Sequence, residues 1–323
     1  MRSCLLLLGA ALACSHTEAA QTPPDLAATI QARLDSLSAV SAFYAKDLTT
    51  GREIAIRADQ PMNTASVIKL PVMILAYRDA EAGRFDLDRR HVIRPEELRR
   101  GSGLIQTFAP GLNPTMRDLV TQMIITSDNT ATDILIGAVG LDRVNRMLDS
   151  MGYQATRLRM TTGDLFKAIW VLADSANARM THAEVYQGGF PSDTGMASRM
   201  FQISRDTVFW LGRMTARETG RMLEALERGS LAGKPGTEEM RHILRRQFYS
   251  SRLPQRLQFR VGIGHKTGDI PPILGNDVGV MYLPSGPVVI AVFVNENRGD
   301  FFNVEAAIGA VARDVAAAWG GLK

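Results

Sequence analysis

Apolar residues recur at helical spacing through Leu26, Ile30, Leu34 and Leu37, which predicts a first amphipathic helix. Ala39 to Ala45 and Glu53 to Arg57 then read as two short strands joined by a turn at Thr49-Thr50-Gly51. From Ala65 to Ala76 the pattern becomes a dense apolar run whose polar members are Ser66 and Lys69. That predicts a helix, with Pro71 in its first turns, where a missing N–H is tolerated. Asp86 to Arg100 is charged and irregular, and Gly101-Ser102-Gly103 marks a loop in which Ser102 reads as a turn residue. A capping box at Thr115 to Asp118 opens a helix through Leu119, Met123 and Ile124, and Gly140 and Gly152 bracket another that carries Val144, Met147 and Leu148. Met214 to Glu218 opens a further helix through Met222, Leu223 and Leu226, and Arg241 to Arg260 reads as a basic helix and connection. The chain ends with a strand at Val261 to Thr267, a hairpin of Asp277–Leu283 and Val288–Val294, and a helix with Val304, Ile308, Val311, Val315 and Trp319 on one stripe.

Strands at both ends and helices between them predict an α/β chain of the α+β type. It would be a single domain over 21–323, with an antiparallel sheet covered by helices from 25–60 and 255–323 and a helical lobe from 61–254.

On a helix, residues three apart share a face, so the Ser66 hydroxyl and the Lys69 amine would be neighbours. A serine hydroxyl attacks a carbonyl only with help from a base, and a lysine kept neutral by burial can supply it. The backbone N–H groups of a helix N-terminus would also stabilise an oxyanion. Two further clusters accompany this pair, Ser127-Asp128-Asn129 at the end of a helix and Lys266-Thr267-Gly268 in a strand. Asp128 is placed either to turn inward and hold the loop or to cap the helix after it.

The set S-x-x-K, S-D-N and K-T-G, in this order and spacing, resembles that of the class A β-lactamases and their penicillin-binding-protein relatives. The likeness runs from about residue 25 to the C-terminus. It implies a β-lactamase/transpeptidase-like fold and acyl transfer through an ester on Ser66. Lys69 would be the general base, with its neutral form favoured by burial and by Lys266. Ser127 would relay the proton to the leaving nitrogen, Asn129 would hold a substrate amide, and Lys266 and Thr267 would bind the substrate carboxylate. The backbone N–H groups of Ser66 and Asp269 would form the oxyanion hole, and Gly262, Gly264 and Gly268 would leave room for a ligand to approach the strand.

The chain departs from that family pattern in one place. Thr156-Arg157-Leu158 matches the start of the omega loop, which in class A enzymes supplies a water-activating glutamate, but here Arg159-Met160-Thr161-Thr162-Gly163 follows. Residues 164–206 look inserted, with one helix at Leu165–Leu172 and then a polar, Gly/Met-rich stretch. Asp164 and Glu184 are its candidate substitute bases, and His182 is expected at the surface. Three readings stay open: a β-lactamase with another deacylation base, a D,D-peptidase or esterase-like envelope enzyme that β-lactams acylate, and a non-enzymatic module that senses β-lactams or glycans.

Composition narrows the partners. The 323 residues are 46% hydrophobic with a formal net charge of +4, and no basic run interleaves with aromatics, so nucleic acid is not an expected ligand. Both cysteines lie in the first 14 residues and the five histidines lack ligand spacing, so the expectation is no cofactor, no metal and no disulfide. Arg2 and the apolar run Cys4 to Ala13 resemble an export signal within 1–20. Ala11-Leu12-Ala13-Cys14 resembles a lipobox, so the mature protein is expected outside the cytoplasm, either periplasmic or held to the membrane by a lipid on Cys14. A monomer acting on a small β-lactam or a peptidoglycan peptide is expected.

Overall fold

Asp25 opens the first helix, α1 (Leu26–Asp35), by accepting the N–H of Ala27. The computed structural model describes residues 25–257 and 261–320, so the expected export signal and Cys14 lie outside the described residues. After α1 come the hairpin strands β1 (Val40–Asp47) and β2 (Glu53–Ile56), then the short β3 (Met62–Asn63), a 3-10 turn over Ala65–Ile68 and α2 (Lys69–Glu81). Three helices follow: α3 (Met116–Ile125), α4 (Asn129–Val139) and α5 (Leu141–Ser150). The next stretch holds β4 (Arg157–Leu158), α6 (Thr162–Ala173), α7 (His182–Gly188), α8 (Met196–Arg205) and β5 (Gly212–Met214). The chain closes with α9 (Ala216–Glu227), α10 (Lys234–Arg245), β6 (Gly262–Ile270), β7 (Leu274–Leu283), β8 (Gly286–Asn295) and α11 (Phe301–Gly320).

Five strands form one antiparallel sheet in the order β2-β1-β8-β7-β6. Successive side chains of a strand point to opposite faces, and here both faces are covered. Val289, Ala291 and Phe293 of β8 join the core shared with α2, α9 and α10, while Val288, Ile290, Val292 and Val294 pack under α1 and α11. An unbroken apolar run in β8 follows from that double burial. Among the helices, α2 is buried from Lys69 through Tyr77, so it forms the axis of the helical part. Its Asp79 is also buried, between Arg84 at 2.7 Å and Arg143 at 2.6 Å.

The structure differs from the sequence reading in three places. Segment 164–206, expected to hold one helix and then a polar stretch, contains most of α6 and all of α7 and α8. Thr181 and Glu184 form a full capping box at the start of α7, a signal present in the sequence. The expected basic helix at 241 begins earlier, at Lys234, with Pro235 in its first turn. A second sheet, β3-β5-β4, had no sequence signal, because two- and three-residue strands are too short to show a period.

Candidate active site

Ser66 sits in the 3-10 turn that leads into α2, after a residue that carries strain. Ala65 has φ of +41°, a left-handed conformation that costs a non-glycine residue about 1–3 kcal/mol. The turn is held from outside. Asn63 Oδ1 accepts the Ala65 N–H at 3.1 Å, and Asn276 Nδ2 on β7 donates to the carbonyls of Asn63 at 2.9 Å and Thr64 at 3.2 Å. Asn276 Oδ1 accepts from Val294 N and Asn295 Nδ2, so this fully buried amide is satisfied. The sequence reading missed Asn276, which has no motif of its own.

Strand β6 is the sheet edge beside that turn, and Gly268 permits the contact. A Cβ there would lie 2.3 Å from the Thr64 carbonyl oxygen and 2.9 Å from Val67 N. The expected role of Gly268 is thus corrected, because its missing side chain makes room for the nucleophile's turn, not for a ligand. Gly264 similarly faces Leu244 and Arg245 of α10, while Gly262 meets only the Tyr282 ring at 3.8 Å. Gly268→Ala is expected to push β6 off the turn and slow acylation of Ser66 by about tenfold to a hundredfold, since displacements of an ångström are enough for that. Stopped-flow rates on the variant would check it.

Three motifs meet at the Ser127 hydroxyl. Lys69 Nζ donates to the Ser127 carbonyl at 2.6 Å, to Asn129 Oδ1 at 2.8 Å and to Ser127 Oγ at 3.2 Å. Lys266 Nζ donates to Ser127 Oγ at 3.0 Å and to the Thr267 carbonyl at 2.7 Å. Both lysines are fully buried. Burial holds the Lys69 amine down at about 7, against the pull of Asp128, Asp133 and Asp269. Lys266 is held well below the usual lysine range by burial and then by the charge of Lys69. With both lysines on Ser127 Oγ, the hydroxyl proton is what Ser127 has left to donate.

Ser127 has φ of +58°, and the loop that imposes it is fixed by its neighbour. Asp128 both turns inward and caps: its carboxylate accepts from Ile105 N and from Ala131 N, each at 2.9 Å. The group is buried, which pushes its carboxyl upward, while these two N–H groups favour the charged form. Gly103 fits against it, since a Cβ there would come within 2.2 Å of the carboxylate. Asp128→Ala strands two buried donors, so a loss of about 2–3 kcal/mol is expected. Thermal unfolding should show it as a melting point lower by about 5–10 °C.

Ser66, Asn129 and Asp269 line one cavity of about 350 Å³. Asn129 Nδ2 donates to the Arg100 carbonyl at 2.8 Å, which fixes the amide's orientation. The Asp269 carboxylate is paired with Arg252 at 2.7 Å. Thr267 is buried beside Lys266 on β6.

The candidate substitute bases are elsewhere. Asp164 and Glu184 are the third residues of the capping boxes of α6 and α7, bonded to Thr161 and Thr181, and neither lines the Ser66 cavity. His182 lies half-buried between Asp164 at 3.1 Å and Arg99 at 3.3 Å. Hydrogen bonds to His182 and Thr161 hold the Asp164 carboxyl below its ordinary range, and the Thr181 N–H and hydroxyl do the same for Glu184, which makes each a weaker base. In the stretch after Leu158, Thr162 reaches the cavity, and its hydroxyl donates to Asp133 at 2.7 Å. Asp133 also takes Gly163 N and Arg99 Nε, so it serves to anchor α6 on α4.

A family model described as the beta-lactamase enzyme family matches residues 25–319. Among curated proteins, the chain is 27% identical over 196 residues to a β-lactamase regulatory protein, BlaB, of Streptomyces cacaoi, covering 60% of this chain and 61% of that protein. It is 31% identical over 163 residues to a β-lactamase of Streptomyces fradiae, covering 47% of this chain and 53% of that one. The chain thus spans between about half and three fifths of these two relatives' length. Among solved structures, a β-lactamase from Sphaerobacter thermophilus DSM 20745 superposes with a TM-score of 0.73 at 27% identity, over 92% of this chain and 98% of that one. PBP-A superposes with a TM-score of 0.72 at 22% identity, over 92% and 96%, a likeness of fold.

Proposed function

The chain belongs to the beta-lactamase enzyme family, and from that premise we propose that it is a serine hydrolase that opens the cyclic amide of β-lactams through an ester on Ser66. The observation that carries this reading is the convergence of Lys69 and Lys266 on Ser127 Oγ, joined through the Lys69–Asn129 hydrogen bond to the cavity that Asn129 and Ser66 line together. Neutral Lys69 removes the Ser66 proton as the hydroxyl attacks. Ser127 passes its proton to the leaving nitrogen and regains one through the lysines. Asn129 orients the substrate amide, Lys266 and Thr267 attract its carboxylate, and the N–H groups of Ser66 and Asp269 receive the oxyanion.

One observation favours a second reading. Among the described residues, Asp269 is the only carboxylate that lines the Ser66 cavity, and it is engaged by Arg252. Water activation is thereby weakened, which suits a penicillin-binding D,D-peptidase or esterase-like enzyme that β-lactams acylate and that releases them slowly.

The test is intact-mass spectrometry of the protein mixed with benzylpenicillin or a chromogenic cephalosporin. An adduct on Ser66 that clears within seconds as hydrolysed drug accumulates supports the hydrolase. An adduct that persists supports the second reading, and no adduct overturns both. We further propose that the chain acts as a monomer and, on Arg2, the Cys4 to Ala13 run and the lipobox-like residues before Cys14, that it is exported, either periplasmic or lipid-anchored. A Cys14→Ser variant that still fractionates with membranes would exclude the anchor.

A further inference from the structure

Helix α7 lines no part of the Ser66 cavity, yet it is bonded to the loop of residues 99–103, whose Gly101 and Ser102 do line it. Arg100 Nε donates to the Tyr186 carbonyl at 2.5 Å, and the Arg100 guanidinium lies 4.7 Å from the centre of the Tyr186 ring. Arg99 Nη2 donates to His182 Nδ1 at 3.3 Å. The Tyr186 hydroxyl reaches the Gln106 carbonyl at 3.4 Å, and the Gln106 amide donates to the Gly101 carbonyl at 2.5 Å. Val185, buried in the middle of α7, seats the helix. The other side of the same loop holds Asn129. Its Arg100 carbonyl accepts from Asn129 Nδ2 at 2.8 Å, its Ser102 carbonyl accepts from Asn129 N at 3.0 Å, and Arg99 N donates to Thr130 Oγ1 at 2.9 Å. The fit is close, since a Cβ on Gly101, where φ is +89°, would lie 2.8 Å from Asn129 Nδ2 and 2.7 Å from the Phe166 ring. A loop packed this tightly carries the amide with it when it shifts.

We infer that Arg100 and Tyr186 are positioning residues for the reaction, through which α7 clamps the loop and fixes the Asn129 amide. The inference rests on the reading of Asn129 as the group that meets the substrate's side-chain amide. An asparagine side chain offers one carbonyl oxygen and two N–H donors. Lys69 Nζ donates to the oxygen at 2.8 Å, and the Arg100 carbonyl takes one N–H at 2.8 Å. One N–H is left for the substrate, and its direction is set by the other two bonds. These two partners are not equally fixed. Lys69 stands on the buried α2, whereas the Arg100 carbonyl belongs to a loop, so the Asn129 amide is only as well aimed as that loop is held. The hold comes from α7, because the guanidinium of Arg100 is spent on the Tyr186 carbonyl and ring. A planar fork stacked on an aromatic face loses little freedom on binding, which makes it a stiff tie. The segment that stands in place of the omega-loop glutamate thereby acts on the cleft at a distance, through the loop that orients Asn129.

The experiment measures, by intact mass, the second-order rates at which benzylpenicillin and 6-aminopenicillanic acid acylate Ser66. The two share a nucleus, but only the first carries a side-chain amide for Asn129. Arg100→Ala and Tyr186→Ala should each slow benzylpenicillin about tenfold and 6-aminopenicillanic acid less than about twofold, because only the amide contact is misaimed. General loosening of the fold would slow both and leave their ratio intact. Tyr186→Phe keeps the ring and the carbonyl, and should return the ratio to its wild-type value. In an Asn129→Ala background, Arg100→Ala and Tyr186→Ala should leave the ratio where Asn129→Ala alone has set it. A ratio unchanged in either variant, or one that falls as far again without Asn129, overturns the clamp while Ser66 and Asn129 keep their roles. A ratio that Asn129→Ala leaves at its wild-type value removes Asn129 from amide binding, and the clamp with it. No adduct with either compound overturns the acyl-enzyme reading itself.

Discussion

Replacing Ser66 with alanine is expected to abolish the covalent adduct with every β-lactam tested and to lower turnover by about 10⁴-fold or more. Among the described residues, Ser102 and Thr162 also line the cavity, but Thr162 Oγ1 donates to Asp133 and neither sits in the turn that leads into α2. Ser127 shares its oxygen with two lysines, and Ser102 sits in the loop that holds Asn129 through its carbonyl. The fold should tolerate the change. Ser66 is buried but, among the described residues, its hydroxyl makes no hydrogen bond, so its loss strands no partner. Binding should persist in part, because Lys266 and Thr267 remain. The check is a mass spectrum and a melting curve from one preparation. A wild-type melting point without an adduct is the expected pair of results, and an adduct on the alanine variant would remove Ser66 from the mechanism.

The second large effect is expected at Lys69. Lys69→Met keeps an unbranched side chain one atom shorter and removes the base, so acylation should slow by about 10²–10⁴-fold. The pH profile separates this from a loss of binding. With Lys69 titrating at about 7, the wild-type acylation rate should rise with pH through that value and level off above it. The methionine variant should lose that limb. Stability gives an independent reading with a definite sign. The folded pKa lies below the ordinary lysine value of 10.5, so between about 7 and 10.5 the unfolded chain binds more protons. The cost of burying this cation is therefore fully present below pH 7 and is relieved as pH rises toward 10.5. Relative to Lys69→Met, the wild type should gain stability across that window, and denaturant titrations at pH 6.5, 8 and 9.5 would show it. A flat difference would mean that Lys69 stays charged, and that the base lies elsewhere.

The local patterns were legible in the chain because neighbouring residues enforce them. The Thr115 capping box, the glycines that bracket α5, the β7–β8 hairpin and the stripe of α11 all appear where spacing predicts them. Segment 164–206 was harder. Helix α7 has only seven residues, and α8 follows a Gly- and Ser-rich connection with no capping side chain to mark its start. The Thr161 and Thr181 capping boxes were nonetheless present to be read. Recognising them would have assigned Asp164 and Glu184 to helix starts and not to proton transfer.

By itself the sequence determined the alternation and periodicity of the elements, the family likeness and the residue types that can carry acyl transfer, since those depend on spacing along the chain. Only the tertiary structure decided three further matters. It brought Lys69 and Lys266, 197 positions apart in the numbering, onto one hydroxyl and buried both, which is what lowers their proton affinity. It assigned Gly268 to the packing of β6 on the nucleophile's turn. And it lined one side of the Ser66 cavity with Phe166, Ile169 and Ile203, because burial and desolvation belong to the closed fold and have no counterpart in the order of residues.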